Sequence, residues 1–125
     1  MYLLDTHALI WSITSPEKLS RKARRIIESG AVKASVVSYW ELIFKKSRPR
    51  ALGIDPVSWW EQFVSRGSVE VLPLRVAHIT ELDGLTQLHR DPFDRVLLAQ
   101  AIAVNISLLS RDSELGRYGA KVVWD

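Results

Sequence analysis

Cysteine is absent from the 125 residues. Its absence excludes disulfide staples, thiolate metal ligands and a cysteine nucleophile, so stability must come from the core. Histidine is scarce. His7, His78 and His89 show no ligand spacing, and zinc, which favours Cys and His, is not expected. The chain lacks a P-loop, a dinucleotide fingerprint and any support for a Ser-His-Asp triad. No apolar run is long enough to span a bilayer, and Met1-Tyr2-Leu3-Leu4-Asp5 has neither the basic start nor the cleavage region of an export signal. A cytoplasmic protein without membrane association is expected. Internal repeats, low-complexity segments and linkers are also missing. One domain spanning residues 1–125 is therefore expected, large enough to bury a real core.

The formal charge of +3 is modest, but its layout is uneven. Arg21, Lys22, Arg24 and Arg25 cluster in one segment, and Lys45, Lys46, Arg48 and Arg50 in another. If several acids share an inward pocket, the remaining surface is more basic than the net value implies. Such a surface suits a polyanion, nucleic acid above all. Either run is also compatible with a solvated helix face.

The stretch from His89 to Ala101 organises the chain. Asp91 is a good helix N-cap, Pro92 occupies the first helical position, and Asp94 falls three residues after the cap. Phe93, Val96, Leu97, Ala101 and Val104 recur at helical spacing, which makes the helix largely buried and sets two carboxylates at its start. It is expected to end near Asn105.

Upstream, Tyr2-Leu3-Leu4 reads as a buried strand and Thr6–Ile13 as a helix. A helix capped by Ser20 runs to Ser29 and stops at Gly30. Val32–Val37 reads as a strand. Ser38 and Glu41 then form a capping box for a helix over Tyr39–Ser47, which ends in Arg48-Pro49-Arg50. Leu52-Gly53-Ile54 makes a connection, and Asp55-Pro56 opens a helix that Gly67 ends. Of the adjacent Trp59 and Trp60, one is expected in the core and the other on a dimer or partner surface. Val69–Leu74 reads as a strand and Arg75–Asp83 as a helix stopped by Gly84. After the central helix come a strand over Ile106–Leu109, a helical turn at Ser113–Gly116, and a strand over Lys121–Trp124. The alternation predicts an α/β domain with a mainly parallel sheet, helices on both faces, and the strand C-termini gathered at one edge.

Four acids then share a description. Asp5 follows the first strand, Glu41 the second and Asp112 the fourth, while Asp94 enters through the first turn of the central helix. Each alone is explained by capping. Together at one sheet edge they are not, because carboxylates crowded in a water-poor cleft need a compensating cation. An all-oxygen site suits Mg²⁺ or Mn²⁺. Beside basic surface, the chemistry that such a site serves is phosphodiester hydrolysis, with no Ser or His nucleophile required.

Four segments resemble the motifs of the PIN-domain family, in their usual order: Leu3-Leu4-Asp5-Thr6-His7, Ser38-x-x-Glu41, the run beginning Asp94-Arg95, and Leu109-Ser110-Arg111-Asp112. The wording His89-Arg90-Asp91-Pro92-Phe93-Asp94-Arg95 is similar to the VapC-type toxins of toxin–antitoxin pairs. The resemblance covers essentially the whole chain. It implies a three-layer α/β/α sandwich around a five-stranded, mainly parallel sheet, and an Mg²⁺- or Mn²⁺-dependent endoribonuclease acting on structured RNA. It maps the catalytic and metal-binding acids to Asp5, Glu41, Asp94 and Asp112, with Thr6 and Ser110 as supporting hydroxyls. Ser110 stands where the family usually has threonine. The partners implied are a cognate antitoxin protein and a second copy of the chain, the homodimer forming through the region that holds Trp40, Phe44, Trp59 and Trp60. Two other readings stay open: a PIN nuclease of RNA processing or DNA without an antitoxin, and a non-catalytic module that only binds RNA or protein.

Overall fold

A computed structural model describes residues 1–48, 53–66, 69–85 and 91–125. The expected Pro49-Arg50 stop, the Leu52 connection, the Gly67 terminator and the His89-Arg90 start of the central stretch lie outside the described residues.

Five strands, β1 (Tyr2–Leu4), β2 (Val32–Ser35), β3 (Glu70–Leu72), β4 (Ser107–Leu109) and β5 (Val122–Val123), form one sheet in the order β3-β2-β1-β4-β5. Every pairing is parallel, with Leu4 opposite Ala34 on one side and Leu109 on the other. Six helices accompany them: α1 (Thr6–Thr14), α2 (Arg21–Glu28), α3 (Val36–Lys45), α4 (Pro56–Ser65), α5 (Val76–Asp83) and α6 (Pro92–Ala103). Short 3-10 turns cover Pro16–Lys18 and Ser113–Tyr118.

The two-residue period of a strand divides the core. Leu3 and Leu108 point to a cluster with Val37 of α3 and Phe93, Val96, Leu97 and Leu98 of α6. Their chain neighbours Leu4 and Leu109 point to a second cluster with Ala8 and Leu9 of α1, Ala23 of α2 and Phe63 of α4. Helices therefore pack on both faces, which gives the three-layer α/β/α architecture expected from the sequence. The central strand β1 is accordingly apolar, whereas β2 and β3 pair Lys33 with Glu70 at 3.6 Å toward the β3 edge.

Strand order runs one way from β1 to β3 and the other way to β4 and β5, so the direction switches between β1 and β4. In open α/β sheets the crevice beyond the strand C-termini at such a switch receives ligands. Here it is framed by Asp5, whose N–H donates to the Leu109 carbonyl at 3.1 Å, and by the Ser110–Asp112 turn.

Two expectations are corrected. Ser38 is not a helix cap: α3 starts three residues earlier, and Ser35 caps it by accepting the Val37 N–H at 3.0 Å. The β-branched pair Val36-Val37 looks extended in isolation, but Ser35 ends the β2 pairing opposite Leu72 and its hydroxyl is tied to Gln100. The turn is thus forced there. Nor do Trp59 and Trp60 divide between core and surface. Both are partly buried against one cluster, with Trp59 stacked on Phe63 at 5.5 Å and Trp60 stacked on Tyr39 at 5.0 Å.

Candidate active site

Asp5 leaves β1 as the N-cap of α1. Its Oδ1 accepts the Ala8 N–H at 2.8 Å, and its Oδ2 accepts the Ser110 hydroxyl at 2.6 Å. It is buried, and burial is the largest influence on its carboxyl, holding the pKa above the ordinary value. Capping is therefore real, but it engages only one of the two oxygens. The other faces the end of β4.

Ser110 closes this corner. While donating to Asp5 it accepts the Asp112 N–H at 3.1 Å, fixing the turn that carries Asp112. Asp112 in turn caps the following 3-10 turn through the Glu114 N–H at 3.1 Å. Across the gap, Asp91 caps α6 by accepting the N–H groups of Phe93 and Asp94, so the Asp94 side chain projects from the first helical turn. Asp5, Asp94 and Asp112 together line a cavity of about 270 Å³, with His7, Trp11 and Arg111 completing its wall. The Asp94 carboxyl is pushed up to about 7, first by burial and then by the charges of Asp91, Asp5, Glu41 and Asp112. The charges of the other three sequence-predicted acids, Asp5, Glu41 and Asp112, thus reach Asp94.

Glu41 stands apart from that cavity wall. Because α3 begins at Val36, Glu41 lies in its second turn rather than at a cap. It is buried beside the start of α1, where Thr6 Oγ1 donates to its Oε1 at 2.6 Å and lies 3.0 Å from the Ser38 hydroxyl. Its Oε2 takes the Lys45 ammonium at 2.6 Å, and Lys45 also reaches Asp91 at 3.6 Å. Partial burial pulls the Lys45 pKa down, but the Glu41 and Asp91 carboxylates outweigh it and hold the ammonium above its ordinary value.

Lys45, Ser38 and the wall residues His7, Trp11 and Arg111 were not singled out as site residues by sequence. The four-residue spacing from Glu41 to Lys45 on a helix was the available signal. It was obscured because Lys45 opens the basic run that continues to Arg50.

As the side chains stand, no three acidic or histidine side chains among the described residues are grouped to hold one metal ion. Asp5 and Glu41 each have both oxygens engaged by protein donors, as repelling carboxylates should when local hydrogen-bond donors are within reach. The donor chemistry nevertheless fits a hard divalent cation. Three aspartates line one small cavity, all oxygen and no sulfur, with carboxyl pKa values raised in a way that added positive charge would reverse.

A parallel α/β sandwich with acids gathered at its switch point defines the class of protein. The PIN-domain family model matches residues 2–121, and the chain belongs to that family, a family of nucleases. Solved structures share the fold at low identity. VapBC2 from Rickettsia felis, bound to a promoter DNA fragment, is 20% identical with a TM-score of 0.73, over 99% of this chain and 98% of that one. DNA-bound VapBC from Salmonella typhimurium is 17% identical with a TM-score of 0.70, over 98% and 96%. FitAcB from Neisseria gonorrhoeae is 15% identical with a TM-score of 0.66, over 98% and 96%. Comparison with curated proteins gives no match. Among the described residues, no helix is long and apolar enough to cross a membrane.

Proposed function

We propose that the protein is a Mg²⁺- or Mn²⁺-dependent endoribonuclease and the toxin of a toxin–antitoxin pair. The observation that carries this reading is the acid cavity of a PIN-family chain, in which Asp5, Asp94 and Asp112 converge from three separate elements. Those three would hold the ion, with Glu41 beside them. A bound divalent ion supplies charge neutralisation for the phosphodiester and a water of lowered pKa. The protein's own groups do the positioning. Ser110 fixes the Asp5 carboxylate and the Asp112 backbone from one hydroxyl. Thr6 and Lys45 each engage one Glu41 oxygen and keep its carboxylate pointed toward the start of α1. Arg111 places a cation at the cavity wall, where an RNA phosphate would approach.

The toxin reading is supported by the resemblance to VapC-type toxins and by a toxin–antitoxin complex from Klebsiella pneumoniae that shares the fold, and it implies a cognate antitoxin. A homodimer is also proposed, through α3. Trp40 and Phe44 are 52% and 53% exposed there and lie against the buried Phe93 at 4.9 and 5.5 Å, while Trp59 and Trp60 are occupied within the subunit.

The test is incubation of purified protein with total tRNA and rRNA, in Mn²⁺ or EDTA, beside Asp94→Asn. Discrete metal-dependent products that the variant fails to make support the reading. Persistent RNA binding in EDTA with no cleavage in either metal would turn it toward a binding module. A PIN nuclease acting without an antitoxin is the remaining reading. A neighbouring gene for a short DNA-binding protein separates the two.

A further inference from the structure

Three hollows follow one another across the surface. The acid cavity shares Arg111 with a larger trough of about 860 Å³, whose wall includes Lys18, Ser20, Ser113 and Trp124. Leu19 belongs to that trough and also to a third hollow of about 510 Å³, formed with Arg21, Arg24 and Arg25. The path therefore leads from the acids at the sheet's switch point to the arginine cluster of α2.

The trough itself is balanced, with Lys18 and Arg111 against Glu17 and Asp125. The positive charge gathers in the third hollow, which Arg21, Arg24 and Arg25 line with no acid among them. None of the five cations forms an ion pair among the described residues. Arg24 donates to the Pro16 carbonyl at 2.7 Å, which anchors it to the turn that bears Lys18. Lys18 lies 5.8 Å over the Trp11 ring, and Trp11, itself on the acid-cavity wall, meets Trp124 edge-on at 6.0 Å. An aromatic pair thus joins the first two hollows.

The placement on α2 works against the helix itself. Arg21 and Lys22 occupy the first turn, with no acid there, where the helix dipole disfavours positive charge. A merely solvated face has no need of that arrangement. Local choices that oppose the fold are expected where function requires them, and an anion in the hollow would relieve the repulsion.

We propose that this trough and the arginine hollow beyond it bind the sugar–phosphate backbone of single-stranded RNA flanking the bond held at the acid cavity, with Lys18, Arg21 and Arg25 as phosphate contacts. The proposal rests on the nuclease reading above. It assigns affinity to α2 without base specificity, since phosphate contacts position a strand and do not read it.

The test uses a non-cleavable 2′-O-methyl oligoribonucleotide of about twelve nucleotides, a length matched to single-strand sites. Its affinity is measured by fluorescence anisotropy in EDTA across a salt series. The double variant Arg21→Gln/Arg25→Gln is compared with wild type and with Lys18→Gln; all three positions are exposed, so the fold should survive. The double variant should lower affinity about tenfold and reduce the salt slope by about 1.4, which is two phosphate contacts at the single-strand value. Cleavage of the shortest RNA that the wild type cuts should be unchanged. Unaltered affinity and slope overturn the proposal, as does an equal loss on that shortest RNA. So does loss of binding to a poly-glutamate peptide with RNA binding intact, which would assign the trough to an acidic protein. If wild type binds the oligonucleotide in this arginine-dependent way yet cuts no RNA with Mn²⁺, the nuclease reading fails and the trough stands.

Discussion

Lys45 meets Glu41 at 2.6 Å, one turn further along α3, and the pair is unequal: the Glu41 side chain is 7% exposed and that of Lys45 39%. The lysine is therefore the solvent-side closure of a buried carboxylate. Removing it should cost more than an ordinary surface pair, because one oxygen of the buried Glu41 would lose its partner and only the Thr6 contact would remain. Lys45→Met should destabilise the fold by about 1–2 kcal/mol, below the full cost of breaking a buried pair because Lys45 is part-exposed. Urea unfolding of both single variants and of Lys45→Met/Glu41→Gln checks this. The double variant should recover part of the loss, and strict additivity would count against the coupling.

Asp94 illustrates the opposite balance. Its carboxylate is held among Asp91, Asp5, Glu41 and Asp112, so a neutral isostere relieves repulsion. Asp94→Asn should raise the melting temperature of the metal-free protein, by about 1 kcal/mol of stability, while cutting RNA cleavage at least a hundredfold. The latter is about the most that disturbing an outer-shell partner costs, and a direct ligand should cost no less. Saturating Mn²⁺ should stabilise wild type and leave the variant nearly unmoved. A variant less stable than wild type without metal would show that Asp94 is structural.

Far from the acids, His78 sets a pH dependence of stability. It is buried, and its Nδ1 accepts the Arg75 N–H at 3.1 Å and faces the Gln100 amide nitrogen at 3.2 Å. With donors on Nδ1, the ring must be neutral. Burial and then the Arg75 charge lower its pKa below 6.5. The unfolded chain therefore binds the proton first on acidification, and stability is full above the unfolded pKa and is lost as pH falls below it. Between about pH 7.5 and about pH 5 the melting temperature of wild type should fall relative to that of His78→Gln, while protonation of Asp94, whose carboxyl is raised to about 7, acts in the opposite sense in both proteins. An unchanged difference between the two proteins across that range would locate the acid sensitivity elsewhere.

The sheet and the helix order were readable from apolar runs, and Asp5, Asp94 and Asp112 on one cavity wall from acids at strand ends and at the start of the central helix, whereas Glu41 lies apart from that wall. The correction to the start of α3 has a long-range cause. Ser35 and Ser38 are both competent caps, and choosing between them depended on the Ser35–Gln100 contact, 65 residues apart in sequence. Shifting the helix start moved Glu41 from a capping role to its contact with Thr6, which local patterning does not encode. Gln100 itself carried a signal that went unread. It is a polar residue among Leu97, Leu98, Ala99 and Ala101, all fully buried, and so it must find buried partners. It finds Ser35, His78 and the Pro73 carbonyl.

Ser110 provides the last prediction because one buried hydroxyl serves two acids. It donates to Asp5 and accepts from the Asp112 backbone, so it sets the spacing of the β1 and β4 ends on which the cavity is built. Ser110→Ala leaves Asp5 with an unmet oxygen in a buried corner and frees the Asp112 turn. It should reduce cleavage by about tenfold to a hundredfold, the range for groups that orient metal-site ligands, and weaken Mn²⁺ binding measured by calorimetry to a similar extent. Ser110→Thr retains the hydroxyl and should restore both, at about 1 kcal/mol of stability for the extra methyl in a packed site. Metal affinity separates this positioning role from simple loss of packing. If Ser110→Ala unfolds at lower urea yet binds Mn²⁺ as wild type does, the hydroxyl holds only the fold, and Asp5 needs no help to face the cavity.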